Sequence, residues 1–129
     1  MSVHIVAIYA GLLGLLFMYL SYQTVIYRRK EVVDIGMGEG KQLARAARAH
    51  ANFTEYVPLA LILILFLEQT TFPGWAVHAL GALLLIGRIL HAWGFVRHVG
   101  VSFGRVTGTL LTWAVTIVAS VANLYFALA

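Results

Sequence analysis

The chain has 129 residues, 61% of them hydrophobic and only 11% charged, with a formal net charge of +4 and a mean hydropathy of +0.88. A water-soluble domain carries roughly a quarter charged residues, so the composition excludes a soluble globular protein and indicates an integral membrane one. There is no cysteine, which excludes a disulfide and a cysteine nucleophile; a thiol in the chemistry must come from a ligand.

Four apolar stretches follow one another, at about residues 3–27, 43–70, 75–96 and 106–128. Each reaches the ~20 residues that a helix needs to cross a hydrocarbon core of ~30 Å, and none shows the ~10-residue alternation of a membrane strand. The sequence therefore predicts an all-α integral membrane protein, a four-transmembrane-helix bundle forming one domain over 1–129. The first stretch has no basic leader, is longer than a signal-peptide core of ~15 residues, and no small-residue cleavage site follows it. It also holds no Asp or Glu. That argues against a small multidrug transporter, a class built from four short helices with a carboxylate in the first.

Between the first two helices lies "RRKEVVDIGMGEGKQ", whose glycines at 36, 38 and 40 forbid a stable helix. It reads as a flexible loop or as a lid over a ligand; "GMGEG" follows no strand and is not a dinucleotide fingerprint. Pro73-Gly74 turns between helices two and three, and "HVGVSFG" between three and four. All nine Lys and Arg residues lie in the first and third loops or the adjoining helix halves. The positive-inside rule then makes both basic loops cytoplasmic and both termini external. Such a face suits anionic headgroups or an anionic ligand, and no basic patch is large enough to track a nucleic acid.

Helix two carries Arg45, Arg48, Asn52 and Glu55 at spacings of 3, 4 and 3, which puts them on one face. Tyr56 lies at its edge and His50 is rotated away. Read from Lys41 to Thr70, this helix is ~45 Å long, so its first turns stand in the headgroup zone while Asn52 and Glu55 lie below the surface. Helix three repeats the spacing with Arg88, His91, Phe95 and His98. An unpaired Arg at depth costs ~2.5–3.5 kcal/mol even on the insertion scale, and Glu55 is the acid at that level. The expectation is a Glu55–Arg88 contact, within one subunit or across an interface. Snorkelling accounts for Arg45, Arg48 and Arg97 singly, and a purely structural polar network could hold the helices together. Neither requires two matching stripes as well as a cavity for an anionic small molecule does. His4 and His78 read as interfacial, and Tyr22, Tyr27, Trp75 and Trp93 as an aromatic belt. Gly11, Gly14, Gly81, Gly87 and Gly94 read as close-packing sites. The histidines form no metal-ligand pattern, and there is no candidate hydrolase triad.

At "RAARAHANFTEYVPLALIL" the chain resembles the MAPEG family, the membrane-associated proteins of eicosanoid and glutathione metabolism. The hallmark Arg-x-x-x-Asn-x-x-Glu stands as Arg48, Asn52 and Glu55, preceded by Arg45 and followed by Tyr56-Val57-Pro58. "GRILHAWGF", "GRVTGTLLTW" and the basic cluster at Arg28 and Arg29 extend the likeness over essentially the whole chain. The resemblance implies a homotrimer with three sites between neighbouring subunits. Each site would bind glutathione as co-substrate near the cytoplasmic side, with no metal. It implies that Arg48, Asn52, Glu55 and Tyr56 contact the tripeptide, and that Arg28, Arg29 and Arg45 add charge for its carboxylates. Arg88 and His91 would line the site, and Arg105 would face the thiol as the catalytic residue. Its partners would be glutathione or a similar thiol, a lipophilic second substrate and the bilayer. Phe95 stands where several eicosanoid-forming members have tyrosine, which speaks against dedicated leukotriene or prostaglandin synthesis. The short loops look closest to bacterial members, in an inner membrane. The function so implied is a glutathione transferase or peroxidase acting on lipophilic electrophiles or hydroperoxides. The alternative is a non-catalytic lipid- or thiol-binding protein on the same fold.

Overall fold

The computed structural model describes residues 4–97 and 100–129. Four helices follow in chain order: α1 (Ile5–Glu31), α2 (Lys41–Glu68), α3 (Gly74–Arg97) and α4 (Phe103–Leu128). All four are long and apolar enough to cross a membrane. The predicted first residue of α1, Val3, and His98 of the helix-three stripe lie outside the described residues.

The helix ends differ from expectation for local reasons. α1 continues four residues past Tyr27, because Arg28, Arg29 and Lys30 occupy its last turn, where cations meet the negative end of the helix dipole. It stops at Val32, whose φ of +53° is left-handed, and the Val33 N–H closes back onto the Arg28 carbonyl at 3.0 Å. α4 begins three residues before the expected start at 106. Ser102 caps it, its Oγ accepting from the Arg105 N–H at 3.3 Å, which satisfies one of the first-turn donors. Arg105 therefore sits on the first turn of α4 rather than in the loop before it.

Neither α1 nor α2 has a cap from its own N-cap side chain. The first amides of α2 are served by the last residue of α1, the Leu43 N–H donating to Glu31 at 3.2 Å. The first amides of α1 are served by the last residue of α2: Ile5 and Val6 both donate their N–H groups to the Glu68 carboxylate. In the 32–40 connection, Gly36 and Gly38 adopt positive φ, which a helix does not contain.

α3 and α4 approach backbone to backbone. A Cβ added at Gly108 would lie 2.3 Å from the Gly87 carbonyl oxygen, and one at Gly104 would lie 2.6 Å from the Leu90 carbonyl oxygen. Without a hydrophobic drive between helices in lipid, such close van der Waals contact is what holds them. Gly81, Gly87 and Gly94 are close-packed as expected. Gly11 and Gly14 are not: both are exposed, and a methyl group at either position would meet nothing within 4 Å. Gly104 and Gly108 take that role on α4. Between α1 and α2, His50 Nε2 lies 3.0 Å from Ser21 Oγ and the imidazole stacks on Phe17. Asn123 of α4 donates to the Leu63 carbonyl of α2 at 2.8 Å. The outer surface presents Leu15, Met18, Phe66, Trp75 and Ile117 to the surroundings, which suits lipid rather than water.

Candidate functional site

At the basic end of the bundle, α2, α3 and α4 enclose an open groove of about 390 Å³. Arg48 and Asn52 reach it from α2, His91 and Phe95 from α3, and Arg105 and Thr109 from α4; Val101, Val106, Leu110 and Trp113 form an apolar wall. One side is thus basic and polar and the other apolar, with a volume within the ~300–1,000 Å³ usual for small-molecule sites.

Each side chain is held by identifiable contacts. The Arg105 guanidinium lies over Phe95, its Cζ 4.0 Å from the ring centroid, close enough for cation–π attraction. Its Nη1 donates to the Gly100 carbonyl. Gly94 makes this possible, since a Cβ there would lie 2.6 Å from the Arg105 nitrogen. Arg48 forks onto Glu55 at 3.2 and 3.5 Å; with 58% and 51% of the two side chains exposed, the pair contributes at most about 1 kcal/mol to stability. Arg88 is fully buried, at 1% exposed. Its Nη2 donates to Asn52 Oδ1 at 2.8 Å and lies 3.3 Å from His91 Nδ1, while Nε and Nη1 have no partner among the described residues.

The expected residues therefore divide. Arg48, Asn52, His91 and Arg105 converge on the groove, and Arg88 lies directly behind it. Glu55 and Tyr56 are not among its lining residues; Glu55 touches the groove only through Arg48. The expected Glu55–Arg88 contact is not made within the chain, because Glu55 points outward and Arg88 turns inward to an amide and an imidazole. Arg45 does not share the groove with Arg48. It lies on the far side of Phe95, in a separate crevice of about 50 Å³ with Gln23 and Tyr27, since a spacing of three residues leaves it about 60° round α2 from Arg48, toward α1. Arg28 is engaged with the loop, Nη1 donating to the Gly36 carbonyl at 2.8 Å, and Arg29 is exposed at the end of α1.

Sequence reasoning missed the α4 wall. The signal was there: Arg105, Thr109 and Trp113 recur every four residues and so share one helix face. In the sequence Phe95 stands out as a member of the helix-three stripe and as a missing hydroxyl; in the structure its ring is the platform for Arg105. Among the described residues, no three His, Asp or Glu side chains gather as a metal site would require.

Residues 6–125 match the family model described as the MAPEG family. Two curated proteins, each called inner membrane protein YecN and found in Escherichia coli K12 and in Escherichia coli O6:H1, are 38% identical to the chain over 120 residues. That match covers 93% of this chain and 90% of each relative. With the hallmark arginine, asparagine and glutamate of α2 at the mouth of a four-helix membrane bundle, the chain belongs to the MAPEG family.

Proposed function

We propose that the groove binds glutathione and activates its thiol for attack on a lipophilic electrophile or hydroperoxide, in a homotrimer of the bacterial inner membrane with its basic loops cytoplasmic. The observation that carries this reading is the convergence of Arg48, Asn52, His91 and Arg105 on one groove whose other wall is apolar. Glutathione is a net anion with two carboxylates, and arginine holds carboxylates with paired, charge-assisted hydrogen bonds. Glu55 suits the ligand's amine, and Tyr56, Arg45, Arg28 and Arg29 add contacts if a neighbouring subunit closes the site. The location follows the relatives' description as inner membrane proteins.

Arg105 carries the activation. A free thiol has a pKa of ~8.5, and an adjacent guanidinium lowers it, so the thiolate fraction rises at neutral pH. The thiol proton leaves to solvent, since the guanidinium has no acceptor. The sulfur lone pair then forms the bond to carbon, and the leaving group departs with its bonding electrons. With a hydroperoxide, sulfur takes the terminal oxygen and an alcohol leaves; a second glutathione then yields the disulfide and water. Val106, Leu110 and Trp113 suit the apolar substrate, which arrives from the bilayer.

The test is the ultraviolet absorbance of glutathione thiolate on the detergent-solubilised protein at neutral pH, in wild type, Arg48→Ala and Arg105→Ala. A thiolate band lost in Arg105→Ala while binding survives supports the reading. Absence of both band and binding heat in wild type overturns it. A band without conjugate formation from any electrophile would favour the binding-only alternative, to which the lack of a hydroxyl at Phe95 also points. The trimer is tested by native mass spectrometry from detergent; a monomer would refute that part.

A further inference from the structure

Arg88 sits behind the groove rather than in it, and its position fixes the chemistry of two residues that do line it. A guanidinium can only donate hydrogen bonds. Nη2 has two protons: one goes to Asn52 Oδ1 and the other faces His91 Nδ1. Both partners must therefore accept. The Asn52 oxygen is committed inward, which leaves its NH₂ group as the polar end for the groove. His91 Nδ1 must offer a lone pair, so the ring proton sits on Nε2, on the other side of the imidazole.

We infer that Arg88 is a positioning residue whose buried guanidinium turns Asn52 and His91 into hydrogen-bond donors toward the groove. With Arg48 and Arg105 beside them, the polar groups from α2 and α3 are then donors alone. The Thr109 hydroxyl of α4 gives its proton to the Arg105 carbonyl at 2.8 Å and is the one acceptor in the set. A ligand group meeting Asn52 and His91 must accept: a carboxylate, a thiolate or an amide oxygen. His91 thus serves as a donor to the ligand and not as the base that removes the thiol proton. The charge of Arg88 adds to this preference. Glu55 is taken by Arg48, so among the described residues Arg88 has no carboxylate partner behind the groove, and a charge in low dielectric acts over a longer range than at the surface. This deepens the proposed glutathione site and rests on it only for the identity of the ligand.

The experiment is nitrogen NMR of the ligand-free, full-length protein in detergent micelles, with ¹⁵N-labelled histidine. The His91 ring is assigned by replacing each of the other four histidines with glutamine in turn. In wild type, His91 is expected to show a protonated Nε2 and a bare Nδ1. In Arg88→Met, the Nδ1 signal is expected to shift toward the average of the two tautomers. A wild-type His91 with its proton on Nδ1, or with both nitrogens protonated, overturns the inference. So does an Arg88→Met protein with wild-type nitrogen shifts. If Arg88→Met fails to fold, the wild-type spectrum alone decides. Because no glutathione is present, the result stands apart from the thiolate test.

Discussion

Replacing Gly108 by alanine tests the backbone contact on which the groove depends. The new Cβ would lie 2.3 Å from the Gly87 carbonyl oxygen, 2.7 Å from His91 Cβ and 2.8 Å from the His91 nitrogen. All three are backbone or backbone-adjacent atoms, so no side chain can rotate away. α3 and α4 must separate by about 1 Å to restore a contact near the usual ~3.5 Å or slightly less, and dispersion falls steeply over such a gap. Overpacking of this kind costs typically ~1–3 kcal/mol, and the three simultaneous clashes place Gly108→Ala toward the upper end. Gly14→Ala is the control: nothing lies within 4 Å of its Cβ, and alanine is favoured over glycine within a helix by up to ~1 kcal/mol. Thermal unfolding of both variants in detergent, followed by circular dichroism, should show Gly108→Ala destabilised and Gly14→Ala unchanged or stabilised. Glutathione binding should also weaken in Gly108→Ala, because His91 is displaced with α3. Equal stability of the two variants would refute the close packing of α3 on α4.

Arg48→Ala should leave the melting temperature nearly unchanged, since its partner Glu55 is exposed and the pair is worth at most about 1 kcal/mol. By calorimetry it should weaken glutathione binding by about 1.5–3 kcal/mol, the worth of a hydrogen bond to a charged group. Val32→Gly should stabilise the protein by up to ~1 kcal/mol in the same melts, because a branched residue is strained at a φ of +53°. Glu31→Gln and Glu68→Gln should each destabilise by about 0.3–1 kcal/mol, the worth of a negative charge at a helix start. The two sites are separated by most of a 27-residue helix, so their effects in the double variant should add.

The number and order of the helices were legible because hydrocarbon imposes length and apolarity on any segment that crosses it. Ser102 could have been recognised as a cap, which would have moved the start of α4 and placed Arg105 on it. The α2 stripe was legible in angle but not in partner. Spacing put Arg45, Arg48, Asn52 and Glu55 on one face, yet that face is broad enough to be divided by Phe95 from α3. Within the chain, pairing charges at equal depth does not find the partner of Arg88: an amide and an imidazole already occupy one of its nitrogens, and Glu55 is drawn to the nearer Arg48. Glycines are the hardest to read, since their meaning lies in what approaches them. Gly14 and Gly108 are alike in sequence context and opposite in surroundings.

The two terminal glutamates of α1 and α2 have a mechanical consequence. Because Glu31 holds the start of α2 and Glu68 holds the start of α1, this antiparallel pair is latched at both ends and behaves as one stiff plank. α4 is fixed differently: Ser102 caps its start and also donates to the Gly94 carbonyl of α3, and Gly104 and Gly108 press its backbone against α3. The groove is therefore bounded by two stiff pairs, α1 with α2 and α3 with α4, and any widening to admit a bulky substrate falls to the seam between them. His91, Arg105 and the apolar wall lie on one side of that seam, and Arg48 and Asn52 on the other.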